Sequence, residues 1–232
     1  MRALIMAAGV ASRFNGVSKP FLKIQGESII GRMLKQLYGY GISQIYVVIG
    51  HKSELFAGLS TEATLIPNPD YQHGDNAQGL KIALNTIGYA DTLIIDADLV
   101  LSPRALLPLL DNYNQYHESV SLIDPDFDDP EAMKVVVKEG RIVEYSKEHG
   151  YGAEVCTLVT SDALQAIYED LDRLKWWGVG VGEGKLRPRV APITSDAKWI
   201  EIDTPEDYGR AKELFPDVSE IQTPFTYQES KL

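Results

Sequence analysis

Three short stretches of the chain carry residue types that can do chemistry, and the first follows the apolar run Ala3 to Ala8. In this loop, Gly9 to Lys23, glycine permits a close turn in which successive backbone N–H groups can bind phosphate oxygens. Arg13 can bind a phosphate bidentately, and Lys19 and Lys23 add point charges. The backbone donors would come from Ala8, Gly9, Val10, Ala11 and Ser12. The loop can therefore hold a triphosphate. Its spacing matches neither G-x-x-x-x-G-K-[ST] nor G-x-G-x-x-G, so taken alone a structural turn with surface cations explains it better.

The other two stretches are pairs of carboxylates, each separated by one residue. Asp96 and Asp98 follow the apolar run Thr92 to Ile95, and strand alternation would put both carboxylates on one side of the chain. Carboxylates this close repel each other unless a cation neutralises them, and Mg²⁺ or Mn²⁺ prefers such oxygen ligands. Glu201 and Asp203 repeat the pattern and could complete the same metal site. The alternative interpretation is that both pairs are turn or helix-capping carboxylates.

The elements that must position these residues follow from the hydrophobic pattern. Short apolar runs alternate with segments of helical periodicity through the first half of the chain, which predicts a doubly wound α/β sheet with helices on both faces. Ligands of such sheets bind at the carboxyl ends of the strands, where all three stretches lie. The predicted strands are Ala3–Ala8, Ile45–Ile49, Ala63–Pro67, Thr92–Ile95, Val120–Ile123, Ala153–Val159 and Trp199–Ile202, and the main predicted helices are Ser28–Tyr40, Asn76–Ile87, Pro103–Tyr116, Asp162–Leu174 and Pro205–Leu214.

The later part of the chain departs from this alternation. Met133 to Glu148 contains two β-rich runs around Glu139-Gly140, which predicts a small β-hairpin inserted into the domain. From Phe215 onward the sequence is polar with little periodicity. We therefore expect one domain over residues 1–215, with a mixed, mostly parallel sheet, and a C-terminal tail over residues 216–232.

Composition limits the classes of function. The net charge is -11, from 33 acidic and 22 basic side chains, so the chain has no basic excess with which to bind nucleic acid. The single cysteine, Cys156, cannot form an internal disulfide. No stretch is long enough for a membrane span and no secretory signal opens the sequence, so the expected location is the cytoplasm.

The ordered set of motifs resembles the nucleotidyltransferases that act on sugar phosphates and alcohol phosphates, a Rossmann-like family. The matching residues are Ala7-Ala8-Gly9, Ser12-Arg13, Lys19-Pro20 and the two acidic pairs. The hairpin and the stretch Glu201 to Asp207 resemble the small cytidylyltransferases for phosphocholine, inositol phosphate or phosphonates. The sequence departs from the pattern at Val10-Ala11, where a glycine is frequent, and at Gly79, where serine is common.

The resemblance implies a reaction and a set of roles. A nucleoside triphosphate, CTP above all, would transfer its nucleoside monophosphate to a small phosphorylated alcohol or phosphonate and release pyrophosphate. Arg13 and Lys19 would stabilise the leaving group, and Lys147 would orient the acceptor, with Lys134 and Glu201 as further acceptor contacts. A Mg²⁺ ion, or Mn²⁺, would bind Asp98 and Asp203. The nucleotide contacts would be Ala7, Ala8, Gly9, Val10, Ala11, Ser12, Arg13, Lys19, Asn76, Gln78 and Asp96.

Three other functions stay open. A sugar-1-phosphate uridylyl-, guanylyl- or thymidylyltransferase would share the loop and both acidic pairs. A metal-dependent glycosyltransferase also uses D-x-D, but the cations of the loop argue against it. A regulatory module that binds nucleotides without turnover would need fewer of these residues. The partners expected are small molecules, without nucleic acid or membrane, and the chain could form a homodimer.

Overall fold

The computed structural model describes residues 1–215 apart from residues 15, 74, 130, 131 and 182. The predicted tail, 216–232, lies outside the described residues. The strands are β1 Arg2–Ala7, β2 Lys23–Ile24, β3 Glu27–Ser28, β4 Ile45–Ile49, β5 Thr64–Pro67, β6 Thr92–Asp96, β7 Leu99–Leu101, β8 Val120–Asp124, β9 Lys134–Lys138, β10 Arg141–Ser146, β11 Ala153–Val159, β12 Arg189–Pro192 and β13 Trp199–Glu201. The helices are α1 Ile29–Gly39, α2 Asn76–Ile87, α3 Leu107–Tyr116, α4 Ser161–Tyr168 and α5 Pro205–Leu214.

A nine-stranded mixed sheet forms the centre, in the order β5-β4-β1-β6-β11-β8-β12-β10-β9. Strands β5, β4, β1 and β6 run parallel, β11 is antiparallel to both β6 and β8, and β12 is parallel to β8. The predicted Rossmann-like sheet is confirmed. The predicted hairpin, β9–β10, also forms, and it joins the edge of the main sheet through β12. Strand β12 is too short and too close to proline for the sequence pattern to predict it.

Helices cover both faces of this sheet, as the alternation predicts. Alternate residues of β1 enter different cores: Ala3 and Ile5 pack in one with α1 and α3, and Leu4 packs in the other with α2 and α4. This double burial explains why β1 is apolar from Ala3 to Ala7. Two predicted helix limits were wrong. Helix α3 begins at Leu107, and α4 ends at Tyr168, where the chain tightens into a 3₁₀ turn, Glu169–Asp172.

A separate two-stranded sheet brings the acidic pairs together. Strands β7 and β13 are antiparallel, with Glu201 opposite Leu99, and the Ile202 N–H donates to the Asp98 carbonyl at 3.1 Å. Val100, Ile200 and Ile202 are buried in a small third core against α5. These apolar residues beside the carboxylates therefore anchor the two stretches, and the acidic residues lie next to each other at the edge of that core.

None of the helices in the described part of the chain combines the length and the apolar character that crossing a membrane requires.

Candidate active site

A cavity of about 450 Å³ opens at the carboxyl ends of β1 and β6. The loop after β1, the turn after β6, the start of α2 and the end of β13 all contribute to its walls. Most of the residues singled out in the sequence line it, namely Ala7, Ala8, Gly9, Ala11, Arg13, Lys19, Asn76, Asp96, Asp98, Glu201 and Asp203. The predicted convergence of the three stretches is therefore observed.

Lys19 lies between the two acidic pairs. Its ammonium donates hydrogen bonds to Asp98 at 2.9 Å and to Asp203 at 2.7 Å. The buried Pro20 fixes the short 3₁₀ turn Lys19–Phe21 that directs the side chain inward. Burial by itself disfavours the charged ammonium, but the two carboxylates outweigh it and raise the pKa of Lys19. Lys19 is therefore a permanently charged cation at this position.

Arg13 reaches one of these carboxylates, Asp203, from the solvent side. One of its guanidinium nitrogens lies 3.5 Å from Asp203, and about half of its side chain is exposed. The loop thus supplies one buried cation and one exposed cation to a single cavity. Together they can neutralise and orient an anion with several charges.

The carboxyl groups of the site disfavour one another's ionised form. Burial raises the pKa of Asp96, and repulsion from Asp98 adds to that effect. The cavity walls and the carboxylates of Asp98 and Asp203 likewise raise the pKa of Glu201. Excess negative charge of this kind is relieved by a bound cation.

The donor set fits a hard divalent ion. Asp98, Glu201 and Asp203 each offer a carboxylate oxygen, and these oxygens lie within 4.8 Å of one another. The Lys19 ammonium between two of these carboxylates marks a position where positive charge is already favourable. Mg²⁺ and Mn²⁺ accept such all-oxygen ligands.

A capping box at the start of α5 holds the backbone of Asp203. The Asp207 carboxylate accepts from the backbone N–H groups of Asp203 at 3.2 Å and Thr204 at 2.8 Å, and the Thr204 hydroxyl accepts from the Asp207 N–H at 3.2 Å. These bonds satisfy N–H groups that the first turn of a helix leaves without partners. The same bonds fix the point at which the chain leaves β13 and enters the site.

We expect Thr204→Val to lower the free energy of unfolding by about 1 kcal/mol, because the helix loses its N-cap hydroxyl. Catalytic turnover should fall with it, since Asp203 is less firmly held. Thr204→Ser keeps the hydroxyl and should restore both quantities. Urea denaturation and steady-state rates of the three proteins measure the effect, and a Thr204→Val protein with unchanged stability would contradict the role given to the cap.

A second cavity of about 570 Å³ adjoins the first and shares Arg13, Asp96, Glu201 and Asp203 with it. Lys147, exposed just after β10, lines this cavity, as do Glu154 at the start of β11 and the indole rings of Trp176 and Trp199. The predicted acceptor lysine thus faces the space beside the acidic residues. Two binding spaces that share a set of charged residues suit a reaction between two substrates.

Some predicted site residues lie elsewhere. Val10 is exposed, and the Gln78 amide donates to Asp70 at 3.2 Å; neither lines either cavity. Lys134, in β9, and the exposed Lys23 also lie outside both cavities. Ser12 begins the 3₁₀ turn Ser12–Phe14 within the loop. The roles predicted for these residues stay predictions.

Several residues of the site were missed. The cavities are also lined by residues for which the sequence alone predicted no role, namely Glu154, Arg210, Tyr71 and Trp199. Glu154 offered a usable signal, because it is a lone carboxylate in the otherwise uncharged strand β11. Tyr71 lies in a turn and Trp199 begins the short strand β13, whose position depends on its pairing with β7, while Arg210 lies on the predicted helix α5.

Asn76 and Gln78, at the start of α2, each have a buried side-chain oxygen without a hydrogen-bond partner in the described part of the chain. The Asn76 amide nitrogen lies 3.5 Å from the Asp96 carboxylate. Buried amide oxygens are nearly always bonded in folded proteins. The wall of the first cavity therefore offers an acceptor for a ligand N–H group at Asn76.

Comparison with curated proteins gives several relatives. A bifunctional IPC transferase and DIPP synthase from Rubrobacter xylanophilus is 28% identical over 91% of this chain and 51% of its own length. A 2-aminoethylphosphonate cytidylyltransferase from Lancefieldella rimae is 30% identical over 43% of this chain and 44% of its own length. The chain thus spans about half the length, or less, of these curated relatives.

Solved structures share the fold. The CTP:phosphocholine cytidylyltransferase of Streptococcus pneumoniae superimposes with a TM-score of 0.74 at 19% identity, over 92% of this chain and 98% of the other. The model of one family, the MobA-like NTP transferase domain, matches residues 3–168, which include the loop after β1 and the Asp96/Asp98 pair. The chain, with its loop cations and strand-end carboxylates in one cavity, belongs to the MobA-like NTP transferase family.

Proposed function

We propose that the protein transfers a nucleoside monophosphate, CMP from CTP, to the phosphate or phosphonate of a small acceptor and releases pyrophosphate. The observation that carries the proposal is the convergence of Lys19, Arg13 and the two acidic pairs in one cavity beside a second cavity lined by Lys147. An oxygen of the acceptor forms a bond to the α-phosphorus, and the bond from that phosphorus to the bridging oxygen of pyrophosphate breaks.

Positioning and charge neutralisation supply the rate enhancement in this account. The backbone of the loop after β1 holds the triphosphate, and Lys19 and Arg13 stabilise the charge that develops on the leaving pyrophosphate. Lys147 orients the anionic group of the acceptor. No general base is required, because a phosphate monoester with a second pKa of about 6 is already ionised near neutral pH.

Asp98, Asp203 and Glu201 would hold Mg²⁺, with Mn²⁺ as a substitute. A divalent ion bound there would withdraw charge from the phosphate oxygens and so favour attack at phosphorus. Asp96, at the end of β6, lines the same space and accepts from Asn76 at 3.5 Å. Chelation of the metal should therefore abolish turnover.

CTP is favoured over other nucleotides by two observations. The relative from Lancefieldella rimae, at 30% identity, is a cytidylyltransferase by its name. The unpaired Asn76 oxygen in the wall of the first cavity suits a base that carries an amino group, which distinguishes cytosine from uracil and thymine. The cytoplasmic location and the homodimer stay predictions.

The test is pyrophosphate release with Mg²⁺, measured with CTP, UTP, GTP, ATP and dTTP against alcohol phosphates, phosphonates and sugar 1-phosphates. Release with CTP and an alcohol phosphate or phosphonate is expected. Release only with another nucleotide and a sugar phosphate would favour a sugar-nucleotide synthase. Nucleotide binding without release under any pairing would instead favour a regulatory module.

A further inference from the structure

The second cavity has an aromatic wall. Trp199 packs against Phe127 with ring centroids 4.9 Å apart, and both line the cavity. Trp176 also lines it and contacts Tyr145, with centroids at 4.9 Å and ring planes at 77°. The Trp199 indole N–H donates to Asp124 at 2.7 Å, which fixes the orientation of that ring. Aromatic faces held in this way attract cations through their quadrupoles.

A carboxylate lies in the same wall. Glu154 lines the cavity, and its Oε1 atom accepts a hydrogen bond from the Thr157 hydroxyl at 2.9 Å. Thr157 is itself held by the Ser121 hydroxyl at 2.7 Å, and the Tyr145 hydroxyl lies 3.3 Å from it. The position of Glu154 is therefore set by a buried hydroxyl network, unlike that of a freely moving surface residue.

Glu154 forms no ion pair with a lysine, arginine or histidine of the described chain. Burial raises the pKa of Glu154 to about 7, and the negative charge of Glu201 acts in the same direction. A half-buried carboxylate that is not paired with a cation is costly. A positively charged group that entered the cavity would remove that cost, whereas a neutral polyol would not.

We propose that the acceptor carries an ammonium group, which binds against Glu154 and the aromatic side chains of Trp176 and Trp199. The acceptor is then a phosphorylated amino alcohol or an aminophosphonate, and its anionic end faces Lys147 and Arg13, which line the same cavity. This inference rests on the proposed function, because it concerns the substrate that accepts the nucleotide. It excludes inositol phosphates and sugar phosphates as preferred acceptors.

Isosteric pairs of acceptors test the charge directly. Phosphocholine is compared with 3,3-dimethylbutyl phosphate, in which carbon replaces the quaternary nitrogen, and 2-aminoethylphosphonate is compared with propylphosphonate. Pyrophosphate release with CTP and Mg²⁺ gives kcat/KM for each. At least one cationic acceptor should exceed its neutral isostere by about tenfold or more, as a desolvated cation–π contact together with a charge pair predicts.

Two variants test whether the preference for a cationic acceptor depends on Glu154. Glu154→Gln keeps the shape of the side chain and the oxygen to which Thr157 donates. It should lower the ratio of kcat/KM for the cationic acceptor to kcat/KM for its neutral isostere. Glu144→Gln is the matched control, because this carboxylate of β10 pairs with His149 and lines neither cavity. In the Glu144→Gln control, the ratio of kcat/KM values for the cationic and neutral acceptors should equal that of the unmodified protein.

The outcomes separate this inference from the proposed function. Equal kcat/KM for both members of each pair, or a ratio unchanged in Glu154→Gln, would overturn the ammonium site while transfer from CTP stands. No pyrophosphate with any acceptor would instead refute the proposed function. In that event calorimetric titration of phosphocholine and its neutral isostere still decides the ammonium site, because tighter binding of the cation supports it and equal binding refutes it.

Discussion

Replacing Asp98 by asparagine is expected to lower the rate of pyrophosphate release by at least about a hundredfold, the usual cost of removing a group that stabilises charge in a transition state. Asp98 is shared by the Lys19 contact and by the candidate metal site. The asparagine side chain keeps the size of the residue and can still accept from Lys19, so the fold should be preserved. The lower rate of pyrophosphate release would therefore result from the missing negative charge of Asp98 and not from unfolding.

Steady-state kinetics of Asp98→Asn at saturating Mg²⁺ and CTP measures this effect, and urea denaturation checks the fold. Asp111→Asn makes the same chemical change at an exposed position of α3 and should be active. If Asp98→Asn turned over like the unmodified protein, Asp98 would have no part in the reaction and the metal assignment would be lost.

Lys19→Met should be almost as damaging, with kcat/KM for CTP reduced by roughly a hundredfold or more. The ammonium of Lys19 is the buried cation of the first cavity, only 14% of its side chain being exposed, and methionine removes the charge while filling most of the volume. A contact to the leaving group matters most in the transition state, so kcat should fall as well as KM rise. A rise in KM alone would mean that Lys19 only binds the ground state.

The control for this substitution lies four residues further along the chain. Lys23→Met removes an exposed ammonium from the same segment without touching either cavity, and its kinetics should match those of the unmodified protein. Equal losses in both variants would show that the general charge of the segment matters, and the specific role of Lys19 would be wrong.

The fold could be predicted where the hydrophobic pattern has one interpretation. The predicted limits of α2 and β11 match the structure because both are clearly periodic segments with marked ends. The start of α3 was missed because Pro103 and Arg104 form a turn before the helix. Strand β12 was missed because four residues ending in proline carry too little pattern, although β12 decides where the hairpin attaches.

The candidate site was predictable where its residues follow strands directly. Asp96 and the loop after β1 lie at the ends of neighbouring parallel strands, so the sequence brings them together. The second cavity depends on the antiparallel strand β11 and on the pairing of β7 with β13, which sequence periodicity does not encode. An irregularity in the hairpin between Ile142 and Glu144 also shifts its register, so alternation alone could not separate Lys147 from Lys134.

The most direct test of the central claim follows the phosphorus atoms of CTP. The protein is incubated with Mg²⁺, phosphocholine or 2-aminoethylphosphonate, and CTP labelled with ³²P at either the α or the γ position, and the products are separated. The account predicts that the α label appears in a cytidylyl–acceptor conjugate and the γ label in pyrophosphate. A γ label found in the acceptor or in inorganic phosphate, with the α label left in CDP, would mean phosphoryl transfer or hydrolysis and would contradict the account.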